Sequence, residues 1–296
     1  MSPQIAGPLL APIVCGVDER YLHPLGALMR SLAAAHPGDR HRLRLIVLHR
    51  GLSAAAQAKI GEEGGTLGLL AVETREIPDV ARRRYPVSGW VSEAVYLRLA
   101  AAEALPDEQR ALYLDVDTLV LRDLRPLLTL PLDGAPLAAV RDPQNPTVGM
   151  GLALPNCRRL GVPAGREYFN SGVMLLDLHA CRRDGLFDRA HEFLAVYPGE
   201  VLLWDQDALN VATEDRWVRL PRRWNTFALS PLATEPEFVH YAEPVMPLAE
   251  LLCDEYLAAV LHYAGPAKPW QDHYPAGPLR ELYRRFLTTA DLAVTR

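Results

Sequence analysis

A chain of 296 residues is long enough to bury a sizeable core as one large α/β domain. With 49% apolar and 23% charged residues it has an ordinary globular balance, which excludes global disorder. A net charge of −5 excludes a general attraction for nucleic acid, and no local basic patch offsets it.

The four cysteines, Cys15, Cys157, Cys181 and Cys253, are scattered without C-x-x-C spacing, so neither a zinc site nor a disulfide framework is expected and a reducing cytoplasm fits. The N-terminus lacks a basic start and its apolar residues are broken by prolines, so no signal peptide is expected. No run of about 18 apolar residues is present, so no membrane span is expected.

Along the chain, Ile13 to Val17 is a short apolar run, followed by one helical face at Leu25, Leu28, Met29, Leu32 and Ala33. A second strand is expected from Leu43 to His49. Ser53 caps a helix through Ile60, the glycines at 61, 64 and 65 end it, and another apolar run covers Leu69 to Val72. Ser92 starts a helix to about Ala104 that carries Arg98. The run from Ala111 to Leu121 contains Asp115, Val116 and Asp117; if the extended conformation persists, its period of two turns both acids the same way. Like charges so close call for a divalent cation between hard oxygens, unless the pair is simply solvated at a strand end.

Leu137 to Val140 is expected as a strand of a third layer ending at Arg141 and Asp142, and residues 143–166, with four prolines and four glycines, as a long loop of the kind that forms lids or surface excursions. Val173 to Leu178 is the next strand. An amphipathic helix over 182–197 uses Leu186, Phe187, Ala190, Phe193 and Leu194, and a helix over 204–211 opens on Asp205, Gln206 and Asp207. Residues 216–247 read as irregular structure with short strands, and the run Ala258 to Tyr263 contains His262. One domain over residues 1–277 is then followed by a helical tail over 278–296. The tail mixes Arg280, Arg284 and Arg285 with Leu282, Tyr283, Phe286 and Leu287, a pattern that suits packing against the domain or peripheral contact with an anionic inner membrane face.

This alternation predicts an open, mostly parallel, Rossmann-like α/β sheet flanked by helices, with ligands at the carboxyl ends of strands, where Asp18 and the acid pair fall. There is no P-loop, no G-x-G-x-x-G after a strand, no H-E-x-x-H and no G-x-S-x-G, which removes the commonest kinase, dehydrogenase, zincin and hydrolase readings.

Five segments stand in order: Val14-Cys-Gly-Val-Asp18-Glu-Arg-Tyr21, the acid pair, Tyr168-Phe-Asn170-Ser-Gly-Val-Met-Leu-Leu-Asp177, Leu203-Trp-Asp205-Gln206-Asp207-Ala-Leu-Asn210 and His262-Tyr-Ala-Gly265-Pro-Ala-Lys268-Pro-Trp270. The set resembles glycosyltransferase family 8, the family of the lipooligosaccharide galactosyltransferases and glycogenin, over roughly residues 12 to 272. The resemblance implies a GT-A fold and a retaining hexosyltransferase that takes glucose, galactose or an N-acetyl form from a UDP-sugar with Mn²⁺ or Mg²⁺. It implies Asp115, Asp117 and His262 as metal ligands, Lys268 as the diphosphate cation and Gly265 as a point of close backbone approach. Asp18 would accept from the uracil edge and Tyr21 would stack on its face, with Gly16, Val17 and Val116 in the same donor site. Arg98, Asp142, Asn170, Asp205 and Gln206 would hold the sugar, and Gln206, Asp205 and Asn170 would carry catalysis.

Departures from the family pattern are Arg20, where relatives often carry asparagine, Trp90, where several carry histidine, and Leu203 and Ala264. An uncharged amide at Gln206 is a poor base and a poor nucleophile, and its acidic neighbours point about 100° away around a helix, so retention is expected. Two rivals are a metal-dependent nucleotidyl transferase or phosphohydrolase, which also uses paired acids, and a non-catalytic glycan-binding scaffold on the same fold. The acceptor stays open among glycan, lipid-linked glycan, peptide and small molecule.

Overall fold

Period-two burial builds the centre of the molecule. In strand β1 (Ile13–Val17), Val14 joins one apolar core while Ile13, Cys15 and Val17 join another on the opposite face. Strand β2 (Arg44–His49) divides the same way, with Ile46 and Leu48 on one side and Leu45 and Val47 on the other. A sheet covered on both faces reads as continuous apolar runs, which is why these strands are legible. The computed structural model describes residues 10–78, 85–87 and 92–294.

Helices α1 (Leu22–Ala35) and α2 (Ala54–Leu67) cover one face. Ser53 caps α2 through its hydroxyl, but the helix runs past Ile60 and through its glycines. A Cβ on Gly64 would lie 2.3 Å from Val72 Cγ2, so that glycine lets the helix approach β3 (Ala71–Glu76) rather than ending it. The end comes at Gly68, with φ +72°. The expected helix after Ser92 is a 3-10 helix over Glu93–Ala100 that passes into α3 (Ala101–Ala104).

Strands β4 (Arg110–Leu114), β6 (Leu137–Arg141), β7 (Phe169–Asp177) and β8 (Trp217–Arg219) complete a seven-stranded sheet in the order β3-β2-β1-β4-β7-β6-β8. Four pairings are parallel, and β7 runs antiparallel to both its neighbours. Thus β6 belongs to the main sheet, not to a third layer, and β7 starts four residues earlier than the apolar pattern suggests, because Asn170 and Ser171 lie within it. A smaller sheet, β5-β10-β9, joins β5 (Thr118–Val120), β9 (Thr226–Phe227) and β10 (Val260–His262).

After the short α4 (Arg125–Leu128), the expected single helix over 182–197 is two, α5 (Leu178–Arg183) and α6 (Leu186–Val196), separated at Gly185 with φ +59°. With α7 (Trp204–Thr213), α6 covers the second face. Residues 143–166 form a turn-rich loop, joined to the chain before β7 by a bridge between Thr147 and Glu167. Beyond α8 (Leu248–Asp254), the terminal α9 (Pro278–Arg284) and α10 (Thr289–Val294) return to the body of the fold. Tyr283 is fully buried, and its ring lies edge-on to Tyr263 at 5.0 Å. Arg30 on α1 donates to the Phe286 carbonyl and pairs with Asp291 at 2.7 Å. No helix among the described residues is long and apolar enough to cross a membrane.

Candidate active site

Strand β4 ends at Leu114, and Asp115 to Asp117 form a turn before β5. The acids therefore do not share a face by strand period. The turn brings them together instead, with Thr118 Oγ1 donating to the Asp115 carbonyl at 2.7 Å. His262, at the end of β10, pairs in register with Thr118 and so faces the same turn. Its Nε2 lies 3.3 Å from Asp117 Oδ1 and 3.9 Å from Asp115 Oδ2, and ligand atoms of all three residues fall within 4.8 Å of one another.

Two further observations fit this trio to a hard divalent cation. His262 Nδ1 lies 2.9 Å from Asn225 Oδ1, a pure acceptor, so Nδ1 carries the proton and the Nε2 lone pair faces the same space as the carboxylate oxygens, which a cation could share. On Gly172 of β7, a Cβ would sit 2.4 Å from His262 Cε1 and 2.8 Å from Asp115 Oδ2, so only glycine leaves the trio its room. Lys268 Nζ donates to Asp117 Oδ2 at 2.5 Å and to the Tyr263 carbonyl. Burial works against ionisation of Asp117, but the Lys268 ammonium beside it outweighs burial and holds the carboxyl well below the usual range.

A second group of side chains forms a directed hydrogen-bond network. Asn225 Nδ2 donates to Asn170 Oδ1 at 2.8 Å, and the Gly172 N–H donates to the same oxygen. Asn170 Nδ2 then donates to Gln206 Oε1 at 2.8 Å, where the Ser171 N–H also arrives at 3.0 Å. Gln206 Nε2 donates to Asp142 Oδ2 at 3.1 Å, while Asp142 Oδ1 accepts from the backbone of Gln144 and Asn145. Backbone N–H groups can only donate, so they fix which way each amide points.

Arg98, 3% exposed, ties the two groups together. It donates to Asp115 at 2.8 Å and to the Ser171 hydroxyl, lies 3.0 Å from Asp205, and sits over the Tyr113 ring. A Cβ on Gly16 would lie 2.9 Å from Leu97 Cβ, so glycine lets the segment carrying Arg98 reach β1. Burial pushes Asp205 up to about 6 although Arg98 opposes it, since that guanidinium is shared with Asp115. Asp207 has a structural role: it accepts from Tyr168 and from the Leu202 and Leu203 backbone, and burial pushes it up to about 6 as well.

Of these, Arg98, Asp115, Asp117, Asp142, Asn170, Ser171, Asp205, Gln206, His262 and Lys268 line one cavity of about 390 Å³ with Gly16, Val17, Tyr21, Val116 and Gly265, whereas Asn225 and Asp207 do not line it. Every residue singled out for the donor site reaches it except Asp18, whose carboxylate turns to the backbone and guanidinium of Arg20. Trp90 lies outside the described residues. Two residues that sequence reasoning missed are Asn225, a lone amide in a stretch without periodicity, and Ser171, whose only signal is its place between Asn170 and Gly172.

A mostly parallel sheet with acids, a histidine and directed amides gathered in one cavity past its strand ends defines a glycosyltransferase of the GT-A fold. The chain belongs to glycosyltransferase family 8, whose model, "Glycosyl transferase family 8", matches residues 12–274. It is 28% identical over 284 residues to General stress protein A of Bacillus subtilis, covering 93% of this chain and 92% of that protein. It is 32% identical over 181 residues to the lipopolysaccharide 1,2-glucosyltransferase of Escherichia coli, covering 60% of this chain and about half (49%) of that one. The crystal structure of the galactosyltransferase LgtC in complex with donor and acceptor sugar analogs superimposes with a TM-score of 0.70 at 28% identity, over 94% of this chain and 96% of that one.

Proposed function

We propose that the protein moves a hexose, glucose or galactose or an N-acetyl form of either, from a UDP-sugar to an acceptor hydroxyl, with retention and with Mn²⁺ or Mg²⁺ held by Asp115, Asp117 and His262. The observation that carries the reading is the meeting of that trio and Lys268 with Asn170, Gln206 and Asp142 in a single cavity. When bound, the cation neutralises charge on the departing diphosphate. Lys268 adds a compact positive charge beside it, Gly265, with φ +94°, gives backbone access, and Tyr21 offers its ring to the base. Arg98, Asp142, Asn170, Asp205 and Gln206 hold the sugar.

The carboxylates beside Gln206 are already committed, which supports retention. Asp142 accepts from Gln144, Asn145, Asn170 and Gln206, while Asp205 is engaged by Arg98 and Ser171. Neither is free to deprotonate an acceptor hydroxyl from the far side. The leaving diphosphate oxygen takes that proton on the near side, and the oriented carbonyl of Gln206 steadies positive charge at the sugar carbon. A phosphohydrolase or nucleotidyl transferase would have no use for the Asn170–Gln206–Asp142 set, and an intact trio with Lys268 argues against a scaffold that has lost its chemistry.

Purified protein should release UDP from UDP-glucose or UDP-galactose only with a divalent cation, and Asp117→Asn should abolish release while its circular dichroism stays native. Full activity in excess EDTA would overturn the metal assignment.

A further inference from the structure

Part of the cavity lining is made of apolar side chains, one of which, Phe227, packs edge-on against the His262 ring at 5.2 Å. It consists of Leu152, Leu203, Phe227, Leu229, Leu232 and Phe238. Of the amides that adjoin this wall, Gln144 Oε1 meets His240 Nδ1 at 3.1 Å, while Asn145 accepts from the Leu152 N–H and donates to Asp142. The wall is also fixed in place. Phe227 and Leu229 pack in one apolar cluster with Ala242, Met246 and Phe238, and Glu255 Oε1 accepts both the Leu229 and Ser230 N–H groups at 2.7 Å. Next to Phe238 in the chain, Val239 and Tyr241 are 53% and 51% exposed.

A sugar hydroxyl or a peptide group laid on such a wall would lose water and find no partner, which is costly. An alkyl or aryl group would gain about fourfold in affinity for each CH₂ removed from water. We propose that this wall receives the aglycone of the acceptor: the hydroxyl-bearing sugar carries an apolar alkyl or aryl substituent, which lies along Phe227, Leu232 and Phe238. The proposal rests on the transferase reading, since it is the acceptor side of that cavity.

Calorimetric titration of the protein loaded with UDP and Mg²⁺ tests it, with methyl, phenyl and octyl β-glucoside as probes below their micellar concentrations. Phenyl and octyl glucosides should bind at least about tenfold more tightly than methyl glucoside. Leu232→Asn and, independently, Phe238→Asn should bring the three within about threefold, with thermal unfolding confirming that each variant folds. Equal binding of the three, binding of none, or a preference that survives both variants would overturn the proposal. So would sedimentation as a dimer that Tyr241→Asp dissociates, which would assign the wall to a second copy of the chain. The UDP titration that precedes each run tests the donor reading separately, so its failure is distinguishable from failure of the acceptor proposal.

Discussion

His262 and Asn225 are joined by a 2.9 Å hydrogen bond, and the same Asn225 amide donates to Asn170 on its other side. One residue thus orients both the imidazole of the Asp115–Asp117–His262 trio and the first amide of the Asn170–Gln206–Asp142 network. Asn225→Leu removes both bonds and should weaken Mn²⁺ binding about 10–100-fold, the range for lost partners of metal-ligating histidines. Asn225→Asp keeps the acceptor for His262 but cannot donate to Asn170, so it should retain most Mn²⁺ affinity while kcat falls. Free Mn²⁺ measured by electron paramagnetic resonance separates the two. Equal Mn²⁺ affinities in both variants would show that the coupling is not real.

Asp207 gives a pH signature. Burial holds its folded-state value at about 6, above the ordinary 3.8, so between those values the folded protein keeps a proton that the unfolded chain has released. Its contribution to stability is present at low pH and is lost as pH rises through about 6. The stability difference between wild type and Asp207→Asn should therefore decline from pH 4 to pH 6, by at most about 1.4 kcal/mol per pH unit, and then level off. Urea unfolding of both proteins across that range checks the slope, and a difference that grows with pH would refute it.

The tail supplies a packing test. Tyr283 is fully buried between Tyr263 and Trp270, and the Tyr263 carbonyl in turn accepts from Lys268. Tyr283→Ala should cost roughly 3–5 kcal/mol in denaturant unfolding, as large aromatic truncations in cores do. A loss near zero would mean that the tail does not dock in solution.

What was legible followed from period and order. The strands buried on both faces and the helix of Leu25 to Ala33 announce themselves through spacing, and the five ordered segments announce the family. The acid pair was found for an imperfect reason, since a turn rather than a continued strand brings Asp115 and Asp117 to His262. Gly64 misled because a glycine at a close helix–strand contact looks, in sequence, like a helix stop. Asn225 could not be found, because its importance lies wholly in long-range partners: it is 37 residues from His262 and 55 from Asn170. Asp18 follows the family segment, yet its local partner Arg20 claims the carboxylate.

Every carboxylate in the cavity is engaged by a neighbouring group, which is what makes transfer with retention the expected chemistry. The most direct test is the proton NMR spectrum of the new anomeric centre formed from an α-linked UDP-glucose or UDP-galactose donor, taken early in the reaction. Retention should give an α-linked product, recognised by a small coupling between H1 and H2. A large coupling, marking a β-linked product, would contradict it and require a free carboxylate base.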